Sequence, residues 1–149
     1  PVNTVAALEA LGLSIADACT NDTDLIVTSS DSASGTCPIV VTRTYTITDA
    51  CGNAETYDQI INVDDDTPPT ISGTIAESTV EGCLATDATA PVNTVAALEA
   101  LGLSIADACT NDTDLIVTSS DSASGTCPIV VTRTYTITDA CGNAETYDQ

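Results

Sequence analysis

"CPIVVTRTYTITDACGN", residues 127–143, alternates in character along most of its length. Val131, Arg133, Tyr135 and Ile137 fall on one side of a two-residue period, and Thr132, Thr134, Thr136 and Thr138 on the other. Successive side chains of a strand point to opposite faces, so this pattern predicts one strand with an apolar face toward a core and a hydroxyl face toward water. Gly142 and Asn143 end it in a turn. Arg133 is the only cation in its part of the chain. Its stem is expected to pack on the Tyr135 face while its guanidinium pairs with a carboxylate at the sheet edge.

Working outward, "AETYDQIINVD" (54–64) reads as the strand that follows the same block in its other copy, and "DLIVTSSD" (114–121) as a strand ahead of it. "LSIADAC" (103–109) is a further short strand before the turn-rich "TNDT" (110–113). Upstream, the period changes: in "PVNTVAALEALGL" (91–103) Val95, Leu98 and Leu101 recur at helical spacing. Asn93 or Thr94 is placed to cap the N-terminus of that helix and Gly102 to stop it. "PTISGTIAESTVEGC" (69–83) is expected to be a first strand kinked at Gly73, followed by a polar loop "LATDATA" (84–90). Short strands punctuated by turns over about 90 residues predict an all-β fold: immunoglobulin-like β-sandwich repeats, each with a short helical insertion between its first two strands and two disulfides.

Residues 1–59 recur without a change as residues 91–149, a period of 90. Solenoid repeats run about 20–50 residues, whereas a self-sufficient domain needs about 100, so the period predicts beads that each own a core. The Pro68–Pro69 pair marks the expected boundary, with a first repeat over 1–66 lacking its N-terminal part and a second over 67–149 lacking part of its last strand. Both are expected to be windows on a longer array, in which neighbouring repeats of the same chain are the first partners.

The chain carries 22 Asp and Glu against two Arg, with no His, for a formal net charge of −20. That charge excludes nucleic acid and anionic lipid headgroups as partners and favours soluble cations. High charge with few aromatics can mean disorder, but 43% hydrophobic residues supply enough apolar surface for a core. No apolar run is long enough to predict membrane insertion. With no His or Lys to act as a base, neither a Ser nor a Cys nucleophile is activated, and no enzymatic role is expected.

Seven cysteines fall at 19, 37, 51, 83, 109, 127 and 141, four of them in the longer repeat. Four cysteines allow three pairings. In the expected topology the first strand ends and the long strand begins at one pole, and the second and long strands both end at the other. This ranks Cys83 with Cys127 and Cys109 with Cys141, hence Cys19 with Cys51, and leaves Cys37 as half of a bridge whose other half precedes residue 1. Without His or a C-x-x-C pair, disulfides in an oxidising compartment are preferred to zinc.

"DDDTPP" (64–69) poses the sharpest question, what neutralises Asp64, Asp65 and Asp66. The loops after the second and long strands bring Asp107, Asn111, Asp112, Asp114, Asp139 and Asn143 to the same pole under this topology. Hard oxygen donors without thiolate or imidazole suit Ca²⁺, which takes about 6–8 oxygens. The expectation is an interdomain calcium site built from Asp64, Asp65, Asp66, Asp107, Asp112, Asp114 and Asp139; the alternative is that these aspartates are solvated turn formers.

Taken together, "TPPTISGTIAESTVEGC", "VAALEALGLSIADAC", "GTCPIVVTRTYTITDACGN" and "INVDDDTPP" resemble the HYR-like repeats of giant cell-surface adhesins of Bacteroidetes, mobile gliding adhesins among them. The "YTITDACGN" block is similar to the Y-x-x-x-D-x-x-G-N end of HYR domains. The resemblance implies an immunoglobulin-like fold, type IX secretion, an extracellular place on the bacterial cell surface, and a role in adhesion or gliding motility. It implies a structural stalk repeat that presents an adhesive tip, with other filament chains or surface polysaccharide as further partners. The competing reading is a multivalent polysaccharide-binding module. Asn111-Asp112-Thr113 and Asp121-Ser122-Ala123, with their copies at 21–23 and 31–33, match short glycosylation signals.

Overall fold

A computed structural model describes all residues, 1–149. The chain divides into two compact units, Pro1–Asp64 and Asp65–Gln149. The division falls two residues ahead of the expected start at Thr67.

The first unit holds a helix α1 (Val5–Glu9) and three strands, β1 (Ile26–Ser34), β2 (Ile39–Thr48) and β3 (Ala54–Val63). They form one antiparallel sheet in the order β1-β2-β3. Val5, Leu8, Val27 and Tyr45 are its buried core, and Val2, Ile15, Leu25 and Ile47 pack against it half-buried.

The second unit begins with β4 (Thr70–Gly73), continues through a 3₁₀ turn (Ala85–Asp87), helix α2 (Val95–Ala100) and β5 (Leu103–Ala106), and ends with β6 (Ile116–Ser124), β7 (Val130–Thr138) and β8 (Ala144–Asp148). β4 and β5 pair antiparallel, Thr70 opposite Ala106 and Gly73 opposite Leu103. The second sheet has the order β6-β7-β8. Leu103 and Ile105 from one sheet meet Val117, Tyr135 and Ile137 from the other, and Val95, Leu98 and Leu115 complete that core. The result is the immunoglobulin-like β-sandwich, nearly all β with one short helix between its first two strands.

The alternation in the long strand is realised as read. Arg133, Tyr135 and Ile137 are 7%, 1% and 0% exposed, whereas the intervening threonines are half-buried. Arg133 makes a bidentate pair with Asp121 across the sheet, Nε to Oδ1 and Nη2 to Oδ2, both 2.7 Å. This two-pronged geometry is what a planar guanidinium offers a carboxylate. Arg43 and Asp31 repeat it in the first unit. Of the two candidate caps, Thr94 serves α2, its Oγ1 accepting from Ala97 N at 3.3 Å.

The first strand is shorter than expected. It stops at Gly73, whose φ of +89° is open to glycine and costly for other residues. A Cβ there would also collide with the carbonyl oxygen of Gly102. Residues 74–83 run on without regular structure, held where Ile75 N donates to the Tyr147 hydroxyl at 2.8 Å. The segment is fastened again where Cys83 N and Leu84 N donate to Asp87 Oδ2 at 2.8 and 3.0 Å.

The cysteines differ from the expected pairing. Cys19, Cys51, Cys83, Cys109 and Cys127 are thiols, whereas Cys37 and Cys141 are disulfide-bonded. The bridges 19–51, 83–127 and 109–141 are therefore not formed here, and Cys37 does not wait on a sulfur before residue 1. The first unit contains only three cysteines, so its own bridges cannot account for all of them.

Candidate metal centre

Two loops of the second unit begin with the same letters, Asp-Ala-Cys, and fold the same way. After β5, Asp107 Oδ1 accepts from Cys109 N at 2.9 Å and Thr110 N at 2.6 Å. After β7, Asp139 Oδ1 accepts from Cys141 N and Asn143 N, both at 2.8 Å, and Oδ2 accepts from Asn143 Nδ2 at 2.8 Å. Aspartate suits these corners because its short carboxylate reaches backbone N–H groups two to four residues on.

Thr110 joins the loops. It is 7% exposed, and its Oγ1 accepts from Ala140 N at 3.2 Å. Asp65 closes the third side: its Oδ1 accepts from Thr67 N at 3.1 Å, and its carbonyl oxygen accepts from Asn143 Nδ2 at 2.9 Å. One carboxylate oxygen each from Asp65, Asp107 and Asp139 lie within 4.8 Å of one another.

Asp139 is 3% exposed. Burial pushes its carboxyl up, yet the Asn143 side chain and the amides of Asn143, Cys141 and Gly142 outweigh that and hold it below the usual carboxylate range. The Cys109 thiol is pushed up, first by the charge of Asp65 and then by burial. Three carboxylates this close repel one another, and the unit's single cation, Arg133, is committed to Asp121. The donor set fits a hard divalent cation such as Ca²⁺, with Asp65, Asp107 and Asp139 as the groups that would hold it.

Three of the seven aspartates singled out from sequence thus come together, all within the second unit. Asp64 belongs to the first unit and is exposed, as is Asp66. Asp112 and Asp114 are exposed in the turn after Thr110; Asp112 shares a shallow depression with Asp107, and Asp114 does not line it. Asn143, expected as an oxygen donor to metal, donates its amide nitrogen to Asp65 and Asp139. Sequence reading missed Thr110, although the Thr that follows one Asp-Ala-Cys and not the other was a visible asymmetry.

Cys83 and Cys127 line one cleft of about 620 Å³ beside the start of β7. Cys109 and Cys141 sit one residue away from the Thr110–Ala140 hydrogen bond, and Cys19 and Cys51 flank its counterpart between Ala50 N and Thr20 Oγ1, 3.4 Å.

Residues 2–63 match the family model of the HYR-like domain with 4 cysteines, which supports placing the repeat in the HYR-like family. Residues 2–59 recur unchanged from Val92 onward, so the second unit carries the same stretch. No curated protein and no solved structure matches the chain. No helix is long and apolar enough to cross a membrane.

Proposed function

We propose that the chain is a secreted, structural repeat segment: part of the stalk of a bacterial cell-surface adhesin that carries an adhesive tip away from the outer membrane, for adhesion or gliding. The observation that carries this reading is a 59-residue stretch repeated without a change, each copy with a core of its own. A stalk reuses one part for reach, whereas a binding site is needed only where contact is made. The HYR-like match is compatible with an extracellular adhesion-type repeat, and the absence of Trp and Phe disfavours sugar-stacking platforms. A glycan array probed with the oxidised chain tests the reading. A stalk gives no saccharide-dependent signal; selective retention on one glycan class overturns it in favour of a multivalent polysaccharide-binding module.

Calcium belongs to the same proposal. Asp65, Asp107 and Asp139 are the candidate ligands, and one Ca²⁺ per chain is expected, because the first unit has only Asp17 and Asp49, the counterparts of Asp107 and Asp139. Calorimetric titration of the chelator-treated chain should show one site that Asp107→Asn weakens at least tenfold. An unchanged isotherm in that variant would sink the assignment. Disulfides suit beads that must resist pulling; mass mapping of the exported protein without reduction shows which of the seven cysteines are bridged.

A further inference from the structure

Each three-stranded sheet ends in a long strand, β1 or β6, whose outer edge nothing in the chain covers. Arg133 and Gln149 exchange backbone hydrogen bonds, N to O at 2.9 Å in both directions, so the odd-numbered residues of β7 turn their main-chain groups toward β8. Thr132, Thr134 and Thr136 therefore turn theirs toward β6, onto Ser122, Ser120 and Thr118. Val117, Ser119, Asp121 and Ala123 are left with N–H and C=O groups directed away from the sheet, and no other part of the chain bonds to those groups. The bond from Asp49 N to Asn53 O sets the same phase in the first unit, which leaves Val27, Ser29, Asp31 and Ala33. Residues 118–124 and 28–34 are exposed. The edge is alike in both units although β4 and β5 pack in one alone, and although β3 has 10 residues and β8 has 5. It therefore belongs to the repeated stretch itself.

We infer that this edge is a homotypic interface, on which β6 or its copy β1 pairs antiparallel with the same strand of a second copy of this chain. Natural edge strands are guarded by Pro, Lys, a bulge or a very short length. Ile116–Ser124 is 9 residues long, pairs with β7 without a bulge and contains neither Pro nor Lys. Its outward-directed residues lie symmetrically about Ser120. With Ser120 opposite its own counterpart, two copies overlap along the whole strand: Val117 meets Ala123 and Ser119 meets Asp121, each pair exchanging both its main-chain hydrogen bonds. Such an isologous contact is self-complementary and closes on itself. Charge selects both the partner and the register. Asp121 is the only charged residue of β6 and is held by Arg133, so this edge is neutral in a chain of net charge −20. In the register centred on Ser120 each Asp121 carboxylate accepts from a Ser119 hydroxyl, whereas centring on Asp121 sets like charges directly opposite, which is destabilising. On the other face Thr118 meets Ser122 and Ser120 meets itself, hydroxyl against hydroxyl.

Sedimentation of the full 149-residue chain tests this, in chelator throughout so that its outcome is independent of the calcium reading. Association should grow with chain concentration and with added salt, which screens the net charge. On association the amides of Val117, Ser119, Asp121 and Ala123, with those of their copies, should gain protection from exchange, while those of Ser120 and Ser122 are already protected by β7. Ser29→Pro with Ser119→Pro removes one outward N–H from each edge and none from the ladder, and should weaken association at least tenfold. Ser29→Asp with Ser119→Asp sets a carboxylate opposite Asp121 and should weaken it as much; both side chains are exposed, so this variant serves even if the proline variant fails to fold. A chain that stays monomeric at every salt concentration, association unchanged in the aspartate variant, protection only at other amides, or dimers found only as disulfide-linked species would each overturn the inference. Protection of these amides that requires an added Lys-rich peptide would give the edge to a foreign strand and overturn it as well.

Discussion

Residues 1–59 and 91–149 are one sequence in two settings, and the second packs against β4, the strand formed by Thr70–Gly73. Leu8 and Leu98 are both 0% exposed, and Tyr45 and Tyr135 both 1%. Helix and central strand are therefore anchored by contacts inside the repeated stretch. The residues that differ are Leu13 against Leu103, Ile15 against Ile105 and Ile47 against Ile137, and in the second unit these belong to the core that Ile71 and Ile75 pack against. The same tetrapeptide is a strand in one unit and irregular in the other, which shows strand formation as a property of pairing and burial more than of the letters.

The comparison can be broken most directly with matched substitutions. Ile137→Ala should destabilise the second unit by about 2–5 kcal/mol, the usual result of opening a cavity in a closed core. Ile47→Ala should cost less than half as much, because water already reaches its position. Denaturant unfolding of each variant reads both values, and equal losses would mean that the two cores are equally closed.

Next in size is Gly73→Ala. It forces a left-handed backbone on a residue with a Cβ and drives that Cβ into the Gly102 carbonyl oxygen. A loss of about 1–3 kcal/mol is expected, confined to the second unit, with β5 losing amide protection alongside β4. Retained protection at Leu103–Ala106 would show that β5 stands without its partner.

Thr94→Ala and Thr4→Ala sharpen the comparison from the other side. Each removes a cap whose hydroxyl accepts a backbone N–H at 3.3 Å in both units. Each should cost about 1 kcal/mol, by the same amount in the two units, since α1 and α2 need nothing from β4. Unequal losses would tie the helix to the first strand.

The smallest expected effect is acid sensitivity. The Arg133 and Arg43 guanidiniums hold the carboxyls of Asp121 and Asp31 below their ordinary value, chiefly by hydrogen bonding. A lowered folded-state pKa gives stability that is complete above the unfolded value, about 3.9, and is lost as pH falls through the folded one. Both units should weaken below about pH 4, and Asp121→Asn or Asp31→Asn should flatten that fall. The carboxylates of both pairs, Asp31 and Asp121, are exposed to water, so the change is small.

The long strand, the helix with its threonine cap and the Arg133–carboxylate pair were legible because each is written in local periodicity or in the scarcity of a residue type. The end of the first strand was not, because Gly73 acts through a close approach to Gly102, 29 positions away. The acidic cluster of Asp65, Asp107 and Asp139 was legible only partly in membership. Acidic residues in turns all look alike in sequence, and which of them converge depends on Thr110 and Asn143 fastening two loops to Asp65.

The bidentate pairs at Arg43 and Arg133 have one more consequence. They use up both cations of a chain whose net charge is −20, so the remaining surface is anionic with no internal relief. Side by side in dilute salt, such chains behave as a polyelectrolyte brush and hold one another apart. At about 0.15 M salt the screening length is ~8 Å, and that repulsion shrinks to near contact range. Ionic strength then sets how closely neighbouring chains can stand.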